Sequence, residues 1–452
     1  MTKTKTMKKA FKAYDIRGIY GKDFDREDVY KIGFFLPALL KSDNILVGRD
    51  VRASSDEIFA ALADGITDSG AHVYNMGLAT TPMVYYTTAK HKFHASVQIT
   101  ASHNPAEYNG LKVSRTNAMP VGFDTGLQEL MLMTENQPVQ IAKKKGKIID
   151  FPAKDEYLQF LHGYKPETNN LNIAIDCSNG MAALLIKKII GTEHHFLYDE
   201  LNGHFPNHDP NPLDEKNVED LKKLVVEKKA DIGIIFDGDA DRVMFVDEKG
   251  QFISPDLIIA LLGHYFIQEK GVKVLEDIRT SKSVKEYLER MGAEVHTWRV
   301  GRAYAAPKLK EIDGVFGGEL AGHYYFRDFF YSDSGILAAL IVLDILNTFK
   351  KEDKKLSELI ANIKNYANSG EINFKIEDKT AAIEALKDFF VAEEEPMEIL
   401  DFDGIRLEFK KWWFNVRPSN TEPYLRLLVE AKSEGLLKDK LKQIKTVLKQ
   451  YL

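Results

Sequence analysis

An α/β protein of several domains, closed by a smaller α+β unit, is what this sequence predicts. Three observations carry that expectation. The chain has 452 residues, too many for one core, so it should divide into roughly three or four domains. Short apolar runs alternate with longer amphipathic ones over about the first 360 residues, the pattern of βαβ units and a mainly parallel sheet. The tail after Asn365 changes character, with hairpin-like strands followed by helices, as in an antiparallel α+β unit.

The elements follow in order. NILVGRD (44–50) reads as a strand, and Ser54 to Glu57 as a capping box opening a helix that ends near Gly70. AHVYNMG is the next strand, and the apolar run His94 to Ile99 another. A second block starts with LNIAIDCSNG (171–180), continues through the helix MAALLIKKII and ends with DIGIIFDGDADR (231–242). A third starts near Pro255, with helix DLIIALLGHYFI, strand VKVLEDI, helix SVKEYLERMG, strand AEVHTWRVG and a strand-like VFGGEL. The echo is of architecture, since no strict short repeat is visible. In the tail, GEINFKIED precedes a helix around AAIEALKDFF, further strands and a final helix. FPAKDEY (151–157), SPD (254–256) and NYANSG (365–370) mark the boundaries, giving domains 1–150, 151–253, 254–366 and 367–452.

Composition narrows the function. A hydrophobic fraction of 44% with 28% charge is that of an ordinary soluble enzyme. The net charge of −6 gives no basic footprint for nucleic acid, so an anionic substrate would need arginine and lysine gathered locally. The single cysteine, Cys177, excludes an internal disulfide and reads as a buried small hydrophobe. No run of 18 apolar residues exists, and the N-terminus lacks a signal-like apolar region. A cytoplasmic protein without a membrane partner is expected.

Residues 100–112, TASHNPAEYNGLK, are the most informative stretch. Ser102 follows a strand, His103 is its neighbour, and Lys112 lies ten residues on. Pro105 and the Asn109–Gly110 pair should keep the segment out of helix and hold a tight, exposed loop. Such a serine beside a proton-transfer group can carry a covalent intermediate, although a Gly-x-Ser-x-Gly elbow is absent and the segment also reads as a plain turn. Asp237, Asp239 and Asp241 alternate at the end of another strand, where mutual repulsion calls for a divalent cation; hard oxygen ligands suit Mg²⁺. Three other readings stand beside it. The aspartates with Glu248 match positions of a calcium loop, although Arg242 takes the place of the required glycine; Asp237 or Asp239 could be a phosphatase nucleophile; or the segment is a solvated acidic turn. Arg242 would set a cation where a phosphoryl group meets the metal.

Further along, GGELAGH (317–323) offers glycines for close ligand approach and Glu319 as an acceptor for two sugar hydroxyls. RPSNTEP (417–423) joins a bidentate Arg417 to Ser419, Asn420 and Thr421 in a phosphate-nest pattern, which an ordinary Pro-bounded turn would also satisfy. Arg17 in YDIRG and Arg49 in GRD, read alone, are salt-bridging residues.

Taken together, YDIRG, TASHNP, DGDADR, GELAGH and RPSNTEP resemble, in order and over essentially the whole chain, the motifs of the α-D-phosphohexomutase superfamily. The resemblance implies three related mixed/parallel-sheet α/β domains plus a smaller C-terminal α+β domain around a central cleft. It implies that Ser102 is the phosphoserine, that Mg²⁺ is held by Asp237, Asp239 and Asp241 with the serine phosphate, and that Arg242 offsets charge on the moving phosphoryl group. Lys112, with His103 and Arg17, would be the general acid/base. Glu319 and His323 would meet the sugar, and Arg417, Ser419, Asn420 and Thr421 the non-reacting phosphate, with Arg279, Lys282 and Arg302 as further substrate contacts. The implied reaction interconverts hexose 1-phosphate and hexose 6-phosphate through a hexose 1,6-bisphosphate. Its partners are small-molecule sugar phosphates, acted on by a monomer or weak homodimer. GELAGH resembles the mannose/glucose group (phosphomannomutase/phosphoglucomutase) more than the glucosamine group. Ala321 departs from the usual serine, and Arg302 stands where bacterial mannose/glucose mutases often have histidine. Phosphoglucosamine mutase, or a non-catalytic sugar-phosphate binder on the same fold, are the alternatives.

Overall fold

The computed structural model describes residues 7–418 and 424–452. Its three N-terminal sheets repeat one connectivity over four strands. In the first, the central strand Ala95–Ile99 runs parallel to Asn44–Arg49 on one side, with His72–Leu78 and Ile148–Asp150 beyond it. On the other side it pairs antiparallel with Tyr108–Arg115, which pairs with Ile16–Ile19. The second sheet centres on Ile232–Phe236, parallel to Ile173–Asp176 and then His195–Leu197, antiparallel to Val243–Asp247 and then Phe252–Ile253. The third centres on Phe316–Gly318, with Lys273–Asp277 and Glu294–Trp298 parallel and Tyr324–Phe326 and Ser332–Asp333 antiparallel. The central strands are buried on both faces, as helix-covered sheets require.

The C-terminal unit is different. Its strands, Ala367–Asn368, Ile372–Lys375, Glu398–Leu400, Ile405–Glu408, Trp412–Pro418 and Tyr424–Ala431, pair only antiparallel. Helices Lys379–Glu393 and Glu434–Leu448 share its core, setting Leu386, Phe390 and Ile444 against Leu407, Phe414 and Leu427. Between the second and third sheets the apolar core is continuous, running from Ile173 and Ile234 to Phe316 and Leu340 and reaching Met83 of the first. That continuity holds the three sheets in fixed relation.

Three local readings are corrected. Ser54 precedes the helix Ser55–Asp68, but its hydroxyl makes no cap; it accepts instead from Asn109 Nδ2 at 2.9 Å. Asn109 and Gly110 are not in a turn: both lie inside the strand Tyr108–Arg115, where Gly110 passes so close to Ile16 O that a Cβ would collide. The helix Gly335–Lys350, capped by Ser334 Oγ accepting from Leu337 N, was not expected. Being apolar nearly all round, it carries no amphipathic stripe to read. Cys177 is fully buried as expected. Among the described residues no helix is long and apolar enough to cross a membrane.

Candidate active site

Each of the three repeated sheets ends its central strand in a loop that returns as the antiparallel neighbour. These loops, residues 100–107, 237–242 and 319–323, leave the C-terminal ends of the strands, where open α/β sheets bind ligands. They also touch one another. Gly238 lies against Ser102 O so closely that only glycine fits. Val243 N donates to Gly322 O at 3.2 Å, joining the second loop to the third, and Thr81 N donates to Asp239 O at 3.1 Å from the first sheet's side.

Ser102 is fully buried at this junction, not exposed as its turn-rich surroundings suggested. Its backbone takes the left-handed conformation (φ 51°), with its N–H donating to Thr100 Oγ1 at 2.9 Å. The hydroxyl donates to Asp237 Oδ2 at 2.7 Å, whereas His103 Nδ1 is farther, at 3.4 Å. Burial, reinforced by Asp239 and Asp241, pushes the Asp237 carboxyl well above the usual range.

The aspartates form a compact carboxylate cluster, with one ligand oxygen from each lying within 4.8 Å of the others. Two like charges about 4 Å apart repel by about 4 kcal/mol at an effective dielectric near 20, so a buried cluster needs a cation. Part of that charge is supplied by Lys112, whose Nζ donates to Asp239 at 2.7 Å and to Asp241. Burial opposes the lysine's charge, but the two carboxylates win and hold its pKa well above the ordinary value. Thr81 Oγ1 donates to Asp239 at 2.5 Å. Asp239 Oδ1 and Asp241 Oδ1 remain buried without a hydrogen-bond partner among the described residues, which suits a metal ion: hard oxygen donors, unsatisfied, in one carboxylate cluster. The calcium-loop reading fails, because strands flank the aspartates and Glu248 is bound to Ser357. A solvated turn fails on burial.

Around this cluster, Arg17, Lys112, Arg242, Arg302, Glu319 and His323 line one cleft. Arg17 is held by Asp15 and by Asn104 Oδ1 at 2.8 Å, beside the Ser102 loop. Desolvation, with Arg242, Arg17 and Lys112 nearby, drives the His103 pKa well down, so its imidazole is neutral. Arg242 Nε donates to His323 Nε2 at 2.9 Å. An arginine can only donate, so that nitrogen is the acceptor and Nδ1–H faces Asp333 at 2.6 Å. Arg302 reaches Asp333 at 2.9 Å and Ala118 O at 2.7 Å, and stacks over Tyr85 at 3.7 Å, tying the third sheet to the first.

Glu319 is buried, and burial raises its pKa against the pull of His323. Its oxygens accept from Tyr325 OH at 2.5 Å and Gly301 N at 3.0 Å, and Arg279 lies 3.9 Å away. Arg279 is paired with Asp277 at 2.7 Å. Arg417, on the C-terminal sheet, sits 3.8 Å from Asp403; burial and the neighbouring Arg279 lower its pKa. Lys282, expected at a phosphate, instead donates to Phe409 O and pairs with Glu408. Ser419, Asn420 and Thr421 lie outside the described residues. Sequence reasoning missed Thr81, Asp333, Tyr325 and Gly301, which hold the site residues in place. Only Asp333, in the polar SDSG run after an aromatic stretch, offered any signal.

Models of the phosphoglucomutase/phosphomannomutase family match the chain in four pieces: alpha/beta/alpha domain I over residues 8–136, domain II over 155–250, domain III over 254–366 and the C-terminal domain over 371–447. A phosphomannomutase of Vibrio cholerae is 36% identical over 97% of this chain and 98% of its own. One from Methanocaldococcus jannaschii is 34% identical over 97% of each. Among solved structures, a phosphoglucomutase/phosphomannomutase family protein from Burkholderia thailandensis superposes with a TM-score of 0.89 at 27% identity, covering 100% of this chain and 98% of that one. An N-acetylphosphoglucosamine mutase of Aspergillus fumigatus shares the fold more distantly, with a TM-score of 0.58 at 14% identity over 82% of this chain and 93% of its own.

Proposed function

The chain belongs to the phosphoglucomutase/phosphomannomutase family, enzymes that act on small sugar phosphates, and on that premise we propose how its own residues divide the work. It is a phosphohexomutase that converts mannose and glucose 1-phosphates to their 6-phosphates. The observation that carries the assignment of roles is Ser102: a buried hydroxyl hydrogen-bonded to Asp237 inside a carboxylate cluster lined by Arg17, Lys112 and Arg242.

In this reading phospho-Ser102 transfers its phosphoryl group to the free hydroxyl of a hexose monophosphate. The Ser102 Oγ–P bond breaks as the sugar O–P bond forms; the sugar proton passes to a base and the departing Ser102 Oγ takes up a proton from the acid beside it. The resulting 1,6-bisphosphate turns over in the cleft and returns its other phosphate to Ser102. Burial and the surrounding cations keep His103 neutral and make it a weak base until the negative charge of a phosphate offsets them; Lys112, held charged by Asp239 and Asp241, is a donor and a fixed cation. Arg17 and Arg242 add positive charge at the transferring group, and His323, anchored on Asp333, fixes the Arg242 fork. Asp237, Asp239 and Asp241 would hold Mg²⁺, which supplies divalent charge next to the serine phosphate. Glu319 takes sugar hydroxyls, and Arg279 with Arg417 the distal phosphate.

The two ends of a bisphosphate are alike, and a carboxylate such as Glu319 suits hydroxyls away from C2. Discrimination between mannose and glucose should then be weak, on the order of 10-fold or less. Steady-state kcat/KM for mannose 1-, glucose 1- and glucosamine 1-phosphates tests this, with peptide mass spectrometry for phosphate on Ser102. A preference for the glucosamine substrate, or exclusion of one neutral epimer, would overturn the substrate reading. A binder without catalysis would carry no phosphoserine.

A further inference from the structure

Arg52 touches none of the cleft, yet every donor it owns is aimed at the loop that carries Ser102. Its guanidinium is buried. Nε donates to Asp50 Oδ2 at 3.2 Å. One terminal nitrogen donates to Pro105 O at 2.6 Å and Tyr108 O at 2.9 Å. The other donates to Ser102 O at 2.9 Å and Asn104 O at 2.6 Å. A guanidinium has five N–H donors in a planar fork, and all five are used. Four of them gather carbonyls from one turn of chain, including that of Ser102, whose left-handed backbone has to be held by its surroundings.

A loop of the second domain closes over this arrangement. Phe205 covers the Arg52 guanidinium, its ring centroid 4.9 Å away, and Gly203 lies against Val51 O and the Arg52 backbone, where a Cβ would collide. Asp50, in turn, is fixed by Ser55 Oγ at 2.6 Å.

We propose that Arg52 is a positioning residue: it sets the Ser102 nucleophile over the aspartate loop, with Phe205 from the second domain as its lid. This rests on Ser102 being the phosphoryl carrier. Lysine cannot reproduce the role, since its three donors radiate from one point and cannot span four carbonyls. A misplacement near 1 Å at a reacting atom costs up to about 100-fold in rate, while binding through Glu319 and Arg417 is untouched.

The test compares wild type, Arg52→Lys and Phe205→Leu, each checked for folding by circular dichroism and thermal unfolding. The readouts are kcat and KM for glucose 1-phosphate, and the rate of Ser102 phosphorylation by glucose 1,6-bisphosphate followed by mass spectrometry. Arg52→Lys should lower kcat and the phosphorylation rate by about 10- to 100-fold while KM moves less than about 3-fold. Phe205→Leu, which keeps all five hydrogen bonds, should lower kcat by about 3-fold with KM unchanged, and it decides the matter if Arg52→Lys does not fold. Unchanged kcat in the folded variants, or kcat falling only with the folded fraction, would overturn the positioning role. A wild type that never carries phosphate on Ser102 would overturn the carrier reading itself, so the two failures are distinct.

Discussion

The loops 237–242 and 319–323 occupy the same connection of the same sheet topology, and they solve opposite problems. The first buries three carboxylates, answers them with Lys112 from another sheet and leaves two oxygens unsatisfied, a place that asks for more positive charge. The second buries one carboxylate and meets its oxygens with Tyr325 OH and Gly301 N, with Arg279 3.9 Å away, a place whose single charge is already answered; in the proposed function its hydrogen-bond donors give way to sugar hydroxyls. Topology fixes where a site forms. Charge count decides which chemistry it takes.

Breaking the first loop's partner should have the largest effect. Ser102→Ala is expected to cut kcat by at least about 1,000-fold, because the covalent carrier is gone. The fold should survive, since losing the bond to Asp237 costs about 1–2 kcal/mol. Substantial residual turnover would point to Asp237 as nucleophile. Asp239→Asn comes next: one hard ligand loses its charge and Lys112 loses a partner, so kcat should fall by about 100-fold and the Mg²⁺ concentration needed for half-activity should rise. Full activity with calcium alone would contradict the metal assignment. Glu319→Gln probes the second loop and should differ in kind, raising KM for the monophosphate by about 10-fold with a smaller change in kcat, as expected for a ground-state contact. A pure kcat defect would erase the contrast between the loops.

The smallest effect on turnover comes from a buried carboxylate outside both loops. Among the described residues Glu276, paired in register with Gly318, has no cation at contact distance: Thr297 donates at 3.1 Å and one oxygen has no partner. Burial, only partly offset by Arg406, pushes its pKa up from 4.5 to about 8. The folded state therefore prefers the protonated acid. That contribution is complete below pH ~4.5, is lost at about 1.4 kcal/mol per unit as pH rises, and is gone by about pH 8. Glu276→Gln keeps the neutral form, so its melting temperature should gain on wild type between pH 5 and 8 and then run level. A constant offset would contradict the shift.

The sequence showed the elements that alternate and the motifs that carry charge. The triple repeat was legible because buried strands followed by glycine-, proline- or aspartate-rich turns have a local pattern, and Ser102, Asp237 and Glu319 each stand in such a turn. What stayed hidden depends on distance. Arg52, Thr81 and Asp333 act on partners brought close only by folding, and apart from the polar run around Asp333 nothing in their neighbours marks them. Exposure was misjudged for the same reason: the Ser102 turn looks like a surface loop until another domain's Gly238 is laid on it. Lys282 failed in the other direction, a cation in the right segment whose ammonium is taken up by the C-terminal sheet.

Lys112 has one more consequence. Because its ammonium already bridges Asp239 and Asp241, the junction between the first two sheets has a counter-ion encoded in the chain itself. A newly made polypeptide can close these domains on each other before it has captured any metal, and a purified sample stripped by a chelator should keep its shape while losing its activity. Such a result would make assembly and activation separate events, the first carried by the gene product alone and the second left to the ionic composition of its surroundings.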